Sequence, residues 1–141
     1  MQGRCLCGKT FFKLNTKAIK AYQCHCSLCR LQSGTASNLG TIIPSVDFEW
    51  LSSRAHIKRW VKETGFTSDF CSNCGSPVPN ELRDTPYYWV PVGTLDSNVS
   101  VEVVAHLCTA SKPNWDLIPS GSVRYDELPD IPTLLNELNS W

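Results

Sequence analysis

Eight cysteines in 141 residues constrain this chain more than any other feature. They fall as Cys5-x-Cys7, Cys24-x-Cys26-x-x-Cys29, Cys71-x-x-Cys74 and a lone Cys108. Cysteines one residue apart do not readily bridge each other, because a disulfide restricts both the Cα separation and the torsion about the sulfur–sulfur bond. Close pairing suits a metal instead, since one short loop then delivers two thiolates to one ion. Zinc is the expected ion, ahead of an iron–sulfur cluster.

The residue after each cluster sorts the sulfurs between ions. Gly8 follows Cys7 and Gly75 follows Cys74, whereas Arg30 follows Cys29. A glycine just past the second ligand lets the backbone turn through positive φ and aim amides at the sulfurs. Cys5, Cys7, Cys71 and Cys74 therefore read as two matching knuckles of one closed, four-sulfur structural site. Such a site ties the N-terminus to the middle of the chain and closes a long loop.

Cys24, Cys26 and Cys29 remain, three ligands from the single segment CHCSLC. Three protein ligands with an open position form the catalytic arrangement for zinc, and four form the structural one. His25, His106 and Cys108 are the protein groups that could close this second site. His25 lies between two ligands, so its side chain is expected to point away. His106 and Cys108 share one face of the stretch Val99 to Cys108, whose other face carries Val99, Val101, Val103, Ala105 and Leu107. Both are expected to be ordinary half-buried strand residues.

Three thiolates on Zn²⁺ weaken its Lewis acidity and make water activation unattractive. A coordinating substrate thiol loses its proton, which yields a positioned sulfur nucleophile or leaving group. Making or breaking a carbon–sulfur bond fits such a centre better than hydrolysis does.

The remaining sequence reads as mainly β. Strands are expected over Lys9 to Leu14, Ala18 to Gln23, Thr35 to Ile43, Ala55 to Val61, Thr67 to Cys71, Tyr87 to Val92 and Val99 to Cys108. The Ala55 and Thr67 strands read as a pair joined through Gly65. One short C-terminal helix is expected over Ile131 to Leu138, capped by Asp130, with Leu134, Leu135 and Leu138 inward. A helical turn after Cys26 is also compatible with the pattern. Neither repeat nor linker is visible, so residues 1–141 read as a single zinc-binding domain. The tryptophans at 50, 60, 89, 115 and 141 read as packing residues. Trp115, in the turn-rich Ser111–Trp115 loop, is the candidate wall of a substrate pocket. Arg30, Arg54, Lys58, Arg59 and Lys112 are candidate carboxylate partners.

Thirteen Lys and Arg balance thirteen Asp and Glu, without a run of like charge. A partner recognised by bulk positive charge, such as nucleic acid or an anionic membrane, is therefore not expected. No apolar run is long enough to cross a bilayer. The opening MQGRCLCGK has no apolar core of signal-peptide type, so a cytoplasmic location is expected, where thiols stay reduced.

The ordered set G-x-C-x-C-G (Gly3 to Gly8), C-H-C-x-x-C-R (Cys24 to Arg30), F-C-x-x-C-G (Phe70 to Gly75), G-T-L-D (Gly93 to Asp96) and S-K-x-x-W (Ser111 to Trp115) resembles the glutathione-dependent formaldehyde-activating enzyme and centromere protein V family. The resemblance runs from Gly3 to about Pro119. It implies a β-tent fold of coiled antiparallel sheets holding two zinc ions. By the same resemblance, Cys5, Cys7, Cys71 and Cys74 hold a structural zinc, and Cys24, Cys26 and Cys29 a catalytic one. The implied activity is that of a carbon–sulfur lyase joining glutathione to formaldehyde, with a small-molecule thiol and aldehyde as substrates. A non-enzymatic, zinc-stabilised binding module on the same fold is the alternative. Reductase chemistry ranks last, because Cys108 alone lies outside the metal clusters and has no resolving partner.

Overall fold

The computed structural model describes residues 1–139; Trp141 lies outside the described residues. The elements are β1 (Gln2–Arg4), β2 (Phe11–Leu14), β3 (Ala18–Cys24), α1 (Ser27–Ser33), β4 (Asn38–Pro44), β5 (Phe48–Trp50), β6 (Ile57–Val61), β7 (Thr67–Cys71), β8 (Asn80–Glu81), β9 (Tyr87–Pro91), β10 (Ser100–Leu107), β11 (Val123–Arg124) and α2 (Ile131–Asn139). The fold is mainly β, as expected. No described helix is long and apolar enough to cross a membrane. The chain divides into two compact units, one of residues 1–18 and 42–100, the other of residues 19–41 and from Val101 onward.

In the first unit, β1, β2 and β5 form an antiparallel sheet, with Gly3 opposite Phe12 and Phe12 opposite Trp50. Along β2 the alternation of FFKL buries Phe12 and Leu14 and exposes Phe11 and Lys13. Phe12 stacks on Phe48 at 5.6 Å and meets Trp50 edge-on at 5.9 Å. Its ring fills the space over Gly3, where a Cβ would stand 2.4 Å from Phe12 Cζ. β6 and β7 pair from Ile57↔Cys71 to Val61↔Thr67, and Gly65 takes the positive φ that their connection needs. Arg59 and Asp69 face each other across this ladder and make a two-pronged ion pair at 2.7 and 2.8 Å.

In the second unit the strand order is β11-β10-β3-β4. β3 and β4 are antiparallel, but the short β11 runs parallel to the end of β10. The alternation expected along Val99 to Cys108 does not govern burial. Val101 and Val103 are exposed, whereas the consecutive Ala105, His106 and Leu107 are all buried. The pairing of Ala105 with Val123 and His106 with Arg124 accompanies this change, so position along the strand outweighs face. α2 buries Leu134 and Leu138, leaves Leu135 half-buried, and is capped by Asp130, whose Oδ1 accepts the Thr133 amide at 2.8 Å.

A second helix, α1, follows the CHCSLC segment directly. Its N-cap is Cys26, whose sulfur accepts the Cys29 amide at 3.4 Å. Gly34 ends it in the left-handed conformation, with its amide on the Arg30 carbonyl at 2.8 Å. The sequence suggested only a possible turn here, because seven residues offer too little periodicity to mark a helix.

Candidate metal centres

Two cysteine clusters form, each within one unit. In the first unit the sulfurs of Cys5, Cys7, Cys71 and Cys74 all lie within 4.8 Å of one another. Cys5 Sγ is 3.6 Å from Cys7 Sγ, and Cys7 Sγ is 3.8 Å from Cys71 Sγ. Zinc–sulfur bonds of about 2.3 Å in a tetrahedron give sulfur–sulfur edges of about 3.8 Å. These separations therefore suit four thiolates round one zinc, and they far exceed the roughly 2.05 Å of a disulfide.

The paired turns expected from Gly8 and Gly75 are present, at φ +77° and +78°. The Gly8 amide donates to the Cys5 carbonyl at 3.1 Å and the Gly75 amide to the Cys71 carbonyl at 2.7 Å. An amide also reaches a sulfur directly, Thr10 N to Cys5 Sγ at 3.4 Å. Ser76 links the knuckles, because its hydroxyl accepts the Leu6 amide at 2.9 Å and lies 3.4 Å from Cys74 Sγ. Hydrogen bonds from Ser76 draw the Cys74 thiol down to about 5, whereas burial pushes Cys5 up. The sulfurs share a small core with Val78, flanked by Trp50 and Ile57.

The second unit brings together Cys24, Cys26 and Cys29, again within 4.8 Å of one another. Cys24 ends β3, Cys26 caps α1, and Cys29 lies one turn into it. Cys24 is buried and the other two are half-buried. Hydrogen bonds from Cys24 and Cys29 pull the Cys26 thiol down to about 2, and the same contacts drive Cys24 up. A dication is the group that lets all three ionise together.

His25 points away from this cluster, as expected. Its Nδ1 meets Asp116 Oδ2 at 2.5 Å and its Nε2 meets His106 Nδ1 at 3.0 Å, so both ring nitrogens are engaged. All three residues are buried. Burial, with His25 and Arg124 nearby, lowers the His106 pKa and favours a neutral ring. The chain of rings holds the peptide between Cys24 and Cys26, aided by the His25 amide on the Leu107 carbonyl at 2.9 Å.

Asp116 was not singled out from the sequence, although its neighbour Trp115 was. Trp115 is 66% exposed, and the buried side chain is the adjacent carboxylate. The available signal was a histidine locked between two ligands, which calls for a partner elsewhere. Of the basic candidates, Lys112 donates to the Asp116 carbonyl at 2.9 Å, and the Arg30 Nε is buried without a partner. Arg54 and Arg59 line a cavity of about 310 Å³ in the first unit, together with Trp50 and Tyr88. Lys58 is exposed on β6.

Among solved structures, the chain is similar to a crystal structure of a Rhodobacter sphaeroides protein. The TM-score is 0.57 at 21% identity, over 89% of this chain and 99% of that one, a likeness of fold. A search of curated proteins finds no match. The family model for the glutathione-dependent formaldehyde-activating enzyme matches residues 1–111, which hold all eight cysteines. With those cysteines gathered into one four-sulfur and one three-sulfur cluster, the chain belongs to the glutathione-dependent formaldehyde-activating enzyme family.

Proposed function

We propose that the chain is a zinc-dependent enzyme of carbon–sulfur lyase type, which forms or cleaves the adduct between a thiol such as glutathione and a small aldehyde such as formaldehyde. The observation that carries this reading is the contrast between the two clusters in a member of this family, four sulfurs in one and three in the other. Cys5, Cys7, Cys71 and Cys74 are assigned to structure, and Cys24, Cys26 and Cys29 to chemistry. A zinc ion held by the second set supplies stabilisation of a substrate thiol as its thiolate.

The chain's own residues prepare that site. Asp116 and His106 engage both nitrogens of His25, which fixes the backbone that presents Cys24 and Cys26. The first turn of α1 orients Cys26 toward Cys29 through the Cys29 amide. A reducing compartment such as the cytoplasm suits a protein that needs this many free thiolates.

The test is a panel of thiols and aldehydes on the zinc-loaded protein, beginning with glutathione and formaldehyde. Exchange NMR reads the rate of hemithioacetal formation. Acceleration is expected in the wild type and absent in Cys26→Ser. If no pair is accelerated by the folded, fully loaded protein, the reading is wrong.

A further inference from the structure

The cavity of the first unit belongs to neither cysteine cluster. Its lining residues lie between Trp50 and Tyr88, and none is a cysteine. It shares Trp50, Arg59, Glu81 and Tyr88 with an adjoining hollow of about 860 Å³. Volumes of about 310 and 860 Å³ fall within the span of small-molecule sites, about 300–1,000 Å³.

The aromatic part of the wall is held in place. Tyr88 stacks on Phe48 at 4.0 Å, with the planes 9° apart, and Phe48 meets Trp50 edge-on at 5.1 Å. The Tyr88 hydroxyl is tied as well, donating to Glu81 Oε1 at 2.8 Å. Trp50 and Tyr88 line the cavity and are only half-buried, so aromatic surface remains for a guest. Preformed surface of this kind favours a flat ring.

Two polar groups of the wall are left over. Asp69 is held by Arg59, and Glu81 by Tyr88. Arg54 is exposed and has no ion-pair partner among the described residues. Asn80 is 4% exposed, and its side-chain nitrogen donates to the Glu81 carbonyl at 3.1 Å. That bond fixes the way the amide is turned, because a carbonyl can receive only its NH₂ end. The oxygen is then the end left over, and it is buried without a partner. Native structures keep few such acceptors, since a buried one without a donor is costly.

The same charges disfavour a cationic guest, the usual rival for an aromatic wall. Both lining carboxylates are engaged, and the unspent charge is that of Arg54.

We propose that this cavity is a binding site for a small, flat aromatic acid that carries a ring N–H. The ring lies against Trp50 and Tyr88, the carboxylate pairs with Arg54, and the N–H donates to Asn80 Oδ1. The site uses no metal ligand and does not depend on the thiol–aldehyde reaction proposed above.

The test is a titration of the zinc-loaded, full-length protein with indole-2-carboxylate and indole-3-acetate, followed by ¹⁵N NMR. The two acids set the carboxylate at different separations from the ring N–H. At least one should bind with a Kd of about 0.1–1 mM, ordinary for a ligand of this size, and shift the side-chain signals of Trp50 and Asn80. Arg54→Gln, a change at an exposed position, should weaken that acid about tenfold and leave its carboxamide analogue unaffected. An oxygen in place of the ring N–H, as in benzofuran-2-carboxylate and benzofuran-3-acetate, should weaken binding to wild type about tenfold. That comparison probes Asn80 without altering a buried side chain. Binding of neither acid, equal affinity for the N–H and oxygen ligands, or wild-type affinity in Arg54→Gln would each overturn the proposal. So would shifts confined to the Cys24–Cys29 segment, or tighter binding of tetramethylammonium than of either acid. Thiol–aldehyde turnover enters none of these readouts, so its absence counts against the proposed reaction alone.

Discussion

At the scale of single residues, small groups decide whether the clusters can form. Gly3 opens the first cysteine motif, and the structure gives it a steric role, because the Phe12 ring occupies the place of a Cβ. Phe12 is almost fully buried between Phe48 and Trp50 and has nowhere to retreat. Gly3→Ala is therefore expected to destabilise the zinc-loaded protein by about 1–3 kcal/mol, as overpacking does, measured by denaturant unfolding. An unchanged midpoint would mean that the ring can move. The cysteine assignment was legible because ligand spacing is local, and Gly8 and Gly75 marked the turns within the same few residues. Asp116 was not, since its partner His25 lies 91 positions away and no local rule joins them.

At the scale of elements, the paired strands and the C-terminal helix were readable, and the shortest pieces were not. β7 was expected with its observed bounds, and β6 differed only by starting two residues later. β1, β5, β8 and β11 have two or three residues each, too few to show a period of two. The β6–β7 ladder also carries a testable pair. Removing Arg59 strands the buried Asp69 carboxylate, so Arg59→Met should cost about 1–2 kcal/mol, modest because the guanidinium is half exposed. A double-mutant cycle with Asp69→Asn separates the pair from the side chains' packing. For α2, hydrogen bonds from Thr133 hold the Asp130 pKa below its ordinary 3.8. A depressed acid stabilises the fold above its unfolded pKa and loses that contribution as pH falls through the folded value. Asp130→Ala should therefore lower the melting temperature at pH 7. The difference from wild type should close at a pH below the folded pKa.

At the scale of the whole molecule, each cluster belongs to one of the two units, and their metals should be separable. Cys74→Ser breaks a site that spans 64 positions between Cys7 and Cys71, so it should unfold the first unit. Cys26→Ser breaks a site built within one short segment and should cost far less stability. Circular dichroism and proteolysis of both variants check this; equal loss would instead favour a purely structural role for both ions. Stepwise chelation should likewise release one ion with little loss of secondary structure and the other with cooperative unfolding. The division into units could not be read from the sequence, because the chain leaves the first at residue 18 and returns at 42 without a linker. Neither composition nor turn residues mark a border that strands cross in mid-course.

The two knuckles have matching turns yet stand far apart along the chain, and this orders events during synthesis. At roughly 5–20 residues per second, Cys5 and Cys7 wait several seconds before Cys71 and Cys74 exist. Cys24, Cys26 and Cys29 emerge together in that interval and need no distant partner to gather round an ion. The newborn chain thus meets its first metal at the site we assign to chemistry. The clasp that secures the fold closes only after that, and until then Cys5 and Cys7 remain open to oxidants and to competing ions.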